Sequence, residues 1–216
     1  MILDLNATTW QPDIFKGLNV KDLDLEKIEV DDASFRPGRV HFQGLEESLE
    51  TLEIKKSFKN GHRPLINLRL DHLSHLKVAI FEHNHIPEVG NDCSGGKSST
   101  RNRQIYDATP ASKLRTLDLA YNKLRNLPSD LFSDMPSLAD VNLDFNLIHV
   151  LKEDTFSSLM GQVQSLSLAG NPLECDEKMR WICKTRTQTV IGKCILSETS
   201  NGRTVQQFCE NLNQIY

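Results

Sequence analysis

The sequence repeats one apolar pattern three times in succession. Its copies start at residues 114, 138 and 163, so successive starts are 24 and 25 residues apart. The shared positions are Leu114, Leu117, Leu119, Asn122 and Leu124; Leu138, Val141, Leu143, Asn146 and Ile148; and Val163, Leu166, Leu168, Asn171 and Leu173. A unit of this length cannot bury its own apolar face. The pattern therefore predicts a solenoid in which each unit packs on its neighbours.

Within each copy, the spacing of the apolar residues predicts one short strand. Leu117 and Leu119 alternate with Asp118 and Ala120, and this period of two directs the leucines inward and the other two side chains outward. Asn122 follows, and because an amide side chain both donates and accepts, stacked copies predict a ladder of asparagines. The residues predicted to close the first two copies from below are Leu127, Phe132 and Met135, and Leu151, Phe156 and Leu159.

The pattern L-x-x-L-x-L-x-x-N-x-L, at a period of ~20–29 residues, is the signature of the leucine-rich repeat. The chain resembles that family over about its whole length, and most strongly from Leu76 onward. The resemblance implies an α/β leucine-rich repeat solenoid. It would have a curved parallel β-sheet on the concave face and an irregular or short helical convex side. About seven repeats are expected in residues 1–173.

The upstream copies follow the template less closely. Thr8, Ile28 and Ser57 stand at the asparagine position of the first three, whereas the fourth has Asn84. The other positions assigned to these copies are Leu3, Leu5 and Phe15; Val20, Leu23, Leu25 and Val30; Leu49, Leu52 and Ile54; and Leu76, Ala79, Phe81 and Ile86. Residues 89–110, rich in Gly, Ser and Asn, predict an exposed insertion loop after the fourth copy. The loop is either a secondary binding site or a tolerated insertion.

Residues 174–216 depart from the repeat and contain Cys175, Trp181, Cys183, Cys194 and Cys209. This segment resembles the cysteine-bearing C-terminal flank of extracellular leucine-rich repeat proteins, such as Toll-like receptor ectodomains and Slit-type guidance proteins. The resemblance implies a cap in which Cys175 pairs with Cys194 and Cys183 with Cys209. The family usually has its first two cysteines two residues apart, whereas here they are eight apart. A zinc site is the alternative, which the spacings do not suit.

Two disulfides in a cap imply an oxidising compartment, so the chain is expected to be secreted or an ectodomain. Cys93 is left over, either as a free thiol, as a bridge to another chain, or as the partner of a missing N-terminal segment. Asn6 opens a sequon and is a predicted glycosylation site. The layout is also similar to small arthropod secreted repeat proteins, including relatives of the non-catalytic subunit of a shrimp luciferase.

Composition excludes some classes of partner. The formal net charge is −4, whereas nucleic-acid binding usually needs a basic stripe. No apolar run approaches the ~20 residues that span a bilayer. Residues 1–5 have no basic start, and Asp4 interrupts their apolar run, so they do not predict a signal peptide. They look like the middle of a strand, and we expect the chain to be cut or incomplete at its N-terminus.

Other motifs predict no catalysis, cofactor or metal. Gly96-Lys97-Ser98 suggests a phosphate loop, but Asn91 stands where that motif needs glycine. His72, His75, His83 and His85 are close in sequence, but their side chains need not converge and no carboxylate or cysteine completes a metal set; surface histidines are the favoured interpretation. No nucleophile lies in a recognisable catalytic context, so the chain is predicted not to be an enzyme.

The outward positions of successive strands would form columns on the concave face. These columns are predicted to run Lys27, Lys56, His83, Tyr121, Phe145 and Gly170; Glu26, Lys55, Glu82, Ala120, Asp144 and Ala169; and Asp24, Glu53, Ile80, Asp118, Asn142 and Ser167. Tyr121 and Phe145 should lie roughly 5 Å apart on neighbouring strands. Exposed aromatics ringed by charge are typical of binding hot spots.

We therefore expect a non-catalytic extracellular module that binds a protein partner through its concave face. The partner site is predicted at Tyr121, Phe145, His83, Asp118, Asn142, Asp144 and Glu82. The acidic residues, with Asp140 beside them, favour a basic partner. The alternative is a scaffold or stabilising subunit of a secreted complex, linked through Cys93.

Overall fold

A computed structural model describes residues 14–28, 42–57, 70, 73–87, 113–129, 131–132, 135–185, 189–195 and 202–213. Several predictions concern residues outside these ranges. They are the first partial copy at Leu3 and Leu5, the sequon at Asn6, the loop 89–110 with its Gly96-Lys97-Ser98 motif, and Cys93.

The described chain forms a parallel solenoid sheet, as the repeat pattern predicts. Six strands follow one another in chain order and share one register. They are β1 Asp22–Glu26, β2 Thr51–Lys55, β3 Val78–Ile80, β4 Thr116–Asp118, β5 Asp140–Asn142 and β6 Ser165–Ser167. The third predicted column is confirmed because its members are register partners from Asp24 to Ser167. We call the face that carries this column the concave face.

Apolar side chains from every described repeat form one continuous core. The inward strand positions Leu23, Leu52, Ala79, Leu117, Val141 and Leu166 are all buried. Below the sheet, the rings of Phe132 and Phe156 lie 5.7 Å apart. Phe15 and Phe42 pair at the same distance under the upstream repeats. Each repeat thus covers the apolar edge of the next, which a single unit cannot do for itself.

The predicted ladder of buried asparagines is present. Asn122 Oδ1 accepts hydrogen bonds from the backbone N–H groups of Asn84 and Ile86, at 3.1 and 3.0 Å. Its Nδ2 donates to the Phe81 carbonyl of the preceding repeat at 2.7 Å. Asn84, Asn146 and Asn171 bond in the same direction, each to the repeat before it. Ser57, the substitute in the third copy, is buried and donates through Oγ to the Leu25 carbonyl at 3.3 Å.

The side opposite the sheet carries one short helix among turns in the described ranges. Helix α1, Glu153–Met160, begins with two acidic residues, whose charge suits the positive end of a helix. Thr155, Phe156, Leu159 and Met160 form its buried face. These residues recur at helical spacing, so packing against the preceding repeat fixes the helix.

The cap closes the apolar end of the last repeat. Its elements are β7 Leu173–Glu174, a 3₁₀ helix Glu177–Lys184, β8 Val190–Ile191, β9 Cys194–Ile195 and α2 Val205–Asn213. Strand β8 pairs with β6 and extends the main sheet to seven strands, while β7 pairs with β9. Trp181 Nε1 donates to the Leu151 carbonyl at 2.9 Å, which ties the 3₁₀ helix to the repeats.

Two disulfides hold the cap together. Cys175 is bonded to Cys194 and Cys183 to Cys209, with Cα–Cα distances of 5.5 and 5.1 Å. These are the pairs that the resemblance to extracellular flanks implies, despite the wider spacing of the first two cysteines. A bonded pair leaves no thiolate for zinc, which removes the alternative of a metal site at these four residues.

One outward prediction is wrong. The alternation within the repeat predicts that Ala120 faces solvent, but Ala120 is buried. It lies in the second column between Glu82 and Asp144, and its single methyl group is shorter than the side chains on either side.

Candidate functional site

The first predicted column does not lie within the strands. Strand β4 ends at Asp118, and Tyr121 follows three residues later with φ of +56°. Strict alternation would send Tyr121 inward, but its left-handed backbone turns the chain, leaving Tyr121 exposed and Asn122 buried. The prediction that this column lies on the strands is therefore wrong: its residues lie at a kink that follows the end of each strand.

All six members of this column share the left-handed conformation. Their φ values run from +51° to +71° at Lys27, Lys56, His83, Tyr121, Phe145 and Gly170. For a non-glycine residue, this conformation costs roughly 1–2 kcal/mol. Regular backbone hydrogen bonds offset that cost, since five of the six donate an N–H to the second-column carbonyl of the next repeat. The bonds run Lys27 to Lys55, Lys56 to Glu82, His83 to Ala120, Tyr121 to Asp144 and Phe145 to Ala169, at 2.8–3.3 Å.

Three aromatic side chains of this column stack face to face. The ring centroids of His83 and Tyr121 are 4.2 Å apart, and those of Tyr121 and Phe145 are 4.5 Å apart, with interplanar angles of 14° and 13°. The second distance agrees with the spacing that neighbouring strands predict. Tyr121 is 43% exposed and Phe145 is 49% exposed. Because the ring faces cover one another, the stack presents mainly ring edges to solvent.

Gly170 ends the stack. A β-carbon built on Gly170 would come within 2.6 Å of Phe145 Cδ1 and 2.8 Å of Cε1. The Phe145 ring therefore lies directly over the backbone of Gly170, at a distance that no other residue allows. The absence of a side chain at Gly170 thus leaves room for the outermost ring of the stack.

A row of polar side chains runs beside the stack across β4, β5 and β6. Asp118 accepts from the Ala120 N–H and from Asn142 Nδ2, both at 2.8 Å. Asp144 Oδ1 accepts from Ser167 Oγ at 2.6 Å and from the Ala169 N–H at 2.7 Å. These bonds hold both carboxylates in place without neutralising them. We call Tyr121, Phe145, His83, Asp118, Asn142, Asp144 and Glu82 the aromatic–acidic patch.

Glu82 is the most perturbed group of the patch. Its partial burial raises the pKa of the carboxyl, and the nearby Asp118 carboxylate raises it further. Lys55 and His83 oppose this shift more weakly. A hydrogen bond between the protonated Glu82 carboxyl and Asp118 also raises the Glu82 pKa.

Charge is distributed unevenly along the concave side. In the upstream repeats, Glu26 pairs with Lys56 at 3.0 Å and with Lys27 at 3.6 Å, and Glu53 pairs with Lys55. Within the described residues, by contrast, the patch acids Asp118 and Asp144 and the neighbouring Asp140 form no ion pair. These three carboxylates, on β4, on β5 and just after β5, are therefore available to a cationic partner.

The sequence did not identify two contributors to this region. Ser167 falls in a predicted column but not in the predicted patch, although its hydroxyl orients Asp144. Ile191 pairs in register with Ser167 and is 55% exposed at the end of the sheet. Ser167 could have been predicted, because it is a polar residue in the column next to the Asp144 carboxylate. Ile191 could not have been predicted, because β8 lies in the cap, where the repeat pattern no longer applies.

The histidines do not converge. His83 stacks on Tyr121, while the Nδ1 of His75 lies 2.9 Å from Ser74 Oγ. His85 is exposed, and His72 lies outside the described residues. No group of three or more His, Cys, Asp or Glu side chains suited to a metal occurs in the part of the chain that the structure describes.

Sequence comparison identifies the repeats directly. A family model described as "Leucine rich repeat" matches residues 112–173. The leucine-rich repeat-containing G-protein coupled receptor 4 of Bos taurus is 50% identical over 44 residues, which are 20% of this chain and 4% of that protein. The high affinity nerve growth factor receptor of Gallus gallus is 38% identical over 69 residues, or 32% of this chain and 9% of the receptor. The matches thus span less than a tenth of these two relatives.

Tsukushi of Gallus gallus is a third relative, 33% identical over 82 residues, with 38% of this chain and 22% of that protein covered. Solved structures share the fold. Human 5T4, also called trophoblast glycoprotein, superposes with a TM-score of 0.56 at 21% identity, covering 87% of this chain and 67% of its own. A chain from the complex of Latrophilin 3, Unc5D and FLRT2, in which FLRT2 supplies the leucine-rich repeats, superposes at 0.52 with 18% identity. It covers 87% of this chain and 52% of its own.

No helix among the described residues has the length and apolar character needed to cross a membrane. The parallel solenoid is the fold that this chain shares with these leucine-rich repeat structures. The chain therefore contains leucine-rich repeats, matched by the family model in residues 112–173, and is similar to proteins that contain them, such as Tsukushi.

Proposed function

We propose that this chain is a non-catalytic extracellular module that recognises a protein partner through the aromatic–acidic patch on its concave face. The observation that carries the proposal is the stack of His83, Tyr121 and Phe145 beside two carboxylates without cationic partners in the described chain. Aromatic groups that are already ordered lose little conformational freedom on binding, which favours affinity.

The electrostatics of the patch favour a basic partner. Asp118 and Asp144 are each held by two hydrogen bonds, so a cation meets them in fixed positions. Charge complementarity of this kind mainly raises the association rate and the selectivity. Salt should therefore slow association more than it speeds dissociation.

The proposed location rests on the cap and on the relatives. Cys175–Cys194 and Cys183–Cys209 suit an oxidising compartment. Leucine-rich repeats take part in a protein assembly in the complex of Latrophilin 3, Unc5D and FLRT2. Absence of catalysis, the scaffold alternative through Cys93 and the likeness to arthropod secreted proteins all stay predictions.

The proposal is tested by capturing partners from the extracellular fluid of the source with paired baits. One bait is the native chain, and the other carries Tyr121→Ala with Phe145→Ala. Ile195→Ala is the control, because Ile195 is as exposed as Tyr121 but lies in the cap. We expect a basic protein that the native and control baits retain and the double variant loses.

The captured partner then allows a quantitative measurement. Removing two central aromatics should weaken binding by more than about 2 kcal/mol, roughly a 30-fold rise in Kd. Equal affinity of the native chain and a correctly folded double variant would exclude the patch as the interface.

A further inference from the structure

A second surface feature lies beyond the asparagine ladder, and none of the patch residues lines it. It is an open groove of about 900 Å³ where two successive repeats meet the cap. Arg125 comes from the repeat that starts at residue 114, Lys152 from the next repeat, and Lys178 from the 3₁₀ helix of the cap. The volume falls within the roughly 300–1,000 Å³ of small-molecule clefts.

The three cations of the groove are available to a ligand. All three are exposed, and in the described part of the chain none forms an ion pair with a carboxylate. Glu174, which does not line the groove, lies 3.1 Å from Nδ1 of the lining residue His149. Because the three cations line one groove, a single anionic ligand bound there could contact all of them.

The lining also contains acidic residues, and these restrict the classes of ligand that fit the groove. Glu153 and Asp154 line the groove at the first turn of α1, and Asn126 adds an amide. Carboxylates accept hydrogen bonds but repel anions, so they require a ligand that also carries neutral donors. Alternating anionic groups and hydroxyls meet both demands. An acidic peptide has backbone N–H groups as neutral donors but few hydroxyls, whereas a sulfated sugar carries anionic groups and several hydroxyls on the same rings.

We propose that this groove binds a sulfated saccharide, with Arg125, Lys152 and Lys178 holding sulfate groups and Glu153, Asp154 and Asn126 bonding to sugar hydroxyls. Val150 is the apolar side chain of the lining and offers a contact for a sugar ring. The ligand would bridge two repeats and the cap, and it would leave the aromatic–acidic patch open for the protein partner.

The test is titration calorimetry of the full chain with a heparin-derived tetrasaccharide at low and physiological salt. Arg125→Gln with Lys152→Gln and Lys178→Gln should raise the Kd at least tenfold. Lys16→Gln with Lys113→Gln and Lys193→Gln is the control. It removes the same charge from exposed sites outside the groove, and it should change the Kd less than threefold. Equal weakening by the two triple variants, or no binding to the native chain, would overturn the proposal.

Two further arms identify the chemistry. The same tetrasaccharide without its sulfates should bind at least tenfold more weakly, and a polyglutamate peptide of equal charge should bind more weakly than the sulfated sugar. A polyglutamate peptide that binds more tightly would overturn the assignment in favour of an acidic protein segment. The Tyr121→Ala/Phe145→Ala variant should bind the sugar like the native chain, so failure at either surface is distinguishable from failure at the other.

Discussion

At the scale of residues, backbone conformation determines the site as much as side-chain chemistry does. The left-handed kink turns one residue of each repeat outward and the following residue inward. Tyr121 and Phe145 are therefore exposed by the same turn that buries Asn122 and Asn146. The kink thus contributes to both folding and the proposed binding site. A substitution there should be tested for its effect on stability as well as on partner binding.

Gly170→Ala should move the Phe145 ring. The new β-carbon would meet that ring at 2.6 Å, and the backbone there has φ of +71°. Gly202 has φ of +75° but open space around its β-position, so Gly202→Ala measures the backbone strain alone. We expect each variant to lose about 1 kcal/mol of unfolding free energy from that strain. Gly170→Ala alone should weaken partner binding, and equal binding by both variants would show that the ring position is irrelevant.

The Glu82–Asp118 pair predicts a defined pH dependence of stability. The pKa of Glu82 is raised in the folded chain by burial and by Asp118. Its contribution to stability is thus fully present below the ordinary glutamate pKa and is lost as the pH rises through the raised value. Glu82→Gln cannot ionise, so it should match the native chain near pH 4 and exceed it in stability near pH 7. Denaturant unfolding at both pH values measures this, and a difference that shrinks at higher pH would contradict the assignment.

At the scale of elements, the asparagine ladder connects one repeat to the next. Asn146 Oδ1 accepts from the Leu124 N–H at 3.0 Å, and its Nδ2 donates to the Leu119 and Leu143 carbonyls. Only a side chain with both a donor and an acceptor can serve these groups together. The ladder therefore links neighbouring repeats in addition to the apolar core.

Asn146→Ala should cost about 2–4 kcal/mol of unfolding free energy, because it leaves buried N–H and C=O groups without partners. Asn126→Ala is the matched control, since Asn126 is exposed, and it should change stability by less than about 0.5 kcal/mol. Chemical denaturation followed by circular dichroism gives both values. A loss at Asn146 no larger than the control loss would exclude a structural role for the ladder.

The sequence predicted the strands well because the repeat constrains them several times over. Each copy places the same inward residues on one register, so an error at one strand would conflict with its neighbours. The kink was harder to foresee, because Lys27, His83 and Tyr121 have no common side-chain property that signals positive φ. The burial of Ala120 escaped the pattern because exposure depends on the size of neighbours as well as on orientation.

The candidate site could be predicted only in part, because the repeat pattern gives positions on the strands but not the contacts between side chains. Its aromatic spacing follows from strand geometry, and that part could be read from the repeat. The difference between Glu53, which pairs with Lys55, and Asp118, which bonds to Asn142, depends on contacts within and between strands that a template does not contain. Charge composition alone could not show which acids are neutralised.

At the scale of the whole molecule, the cap protects an apolar end that the repeats cannot cover. Cys175 and Cys194 are 19 residues apart in sequence, and Trp181 anchors the intervening segment to Leu151. Met179 and Ile182 are fully buried within it. The last repeats therefore depend on the cap for their stability.

Cys175→Ala with Cys194→Ala should lower the unfolding free energy by about 3 kcal/mol, as expected for a loop of this length. The loss should be greatest near the cap, because neighbouring units in a solenoid stabilise one another. Hydrogen exchange should speed up most at β6 and β8 and least at β2. Uniform acceleration across the sheet would contradict a local capping role.

In the proposed function, the His83–Tyr121–Phe145 stack and its acidic neighbours form the partner interface. Hydroxyl-radical footprinting of the chain, free and bound to the captured partner, tests this directly because exposed aromatic rings are readily oxidised. We predict that Tyr121 and Phe145 are oxidised in the free chain and protected in the complex, while Ile195 in the cap reacts equally in both. Unchanged oxidation of both rings in a saturated complex, with protection elsewhere, would show that the partner binds another surface.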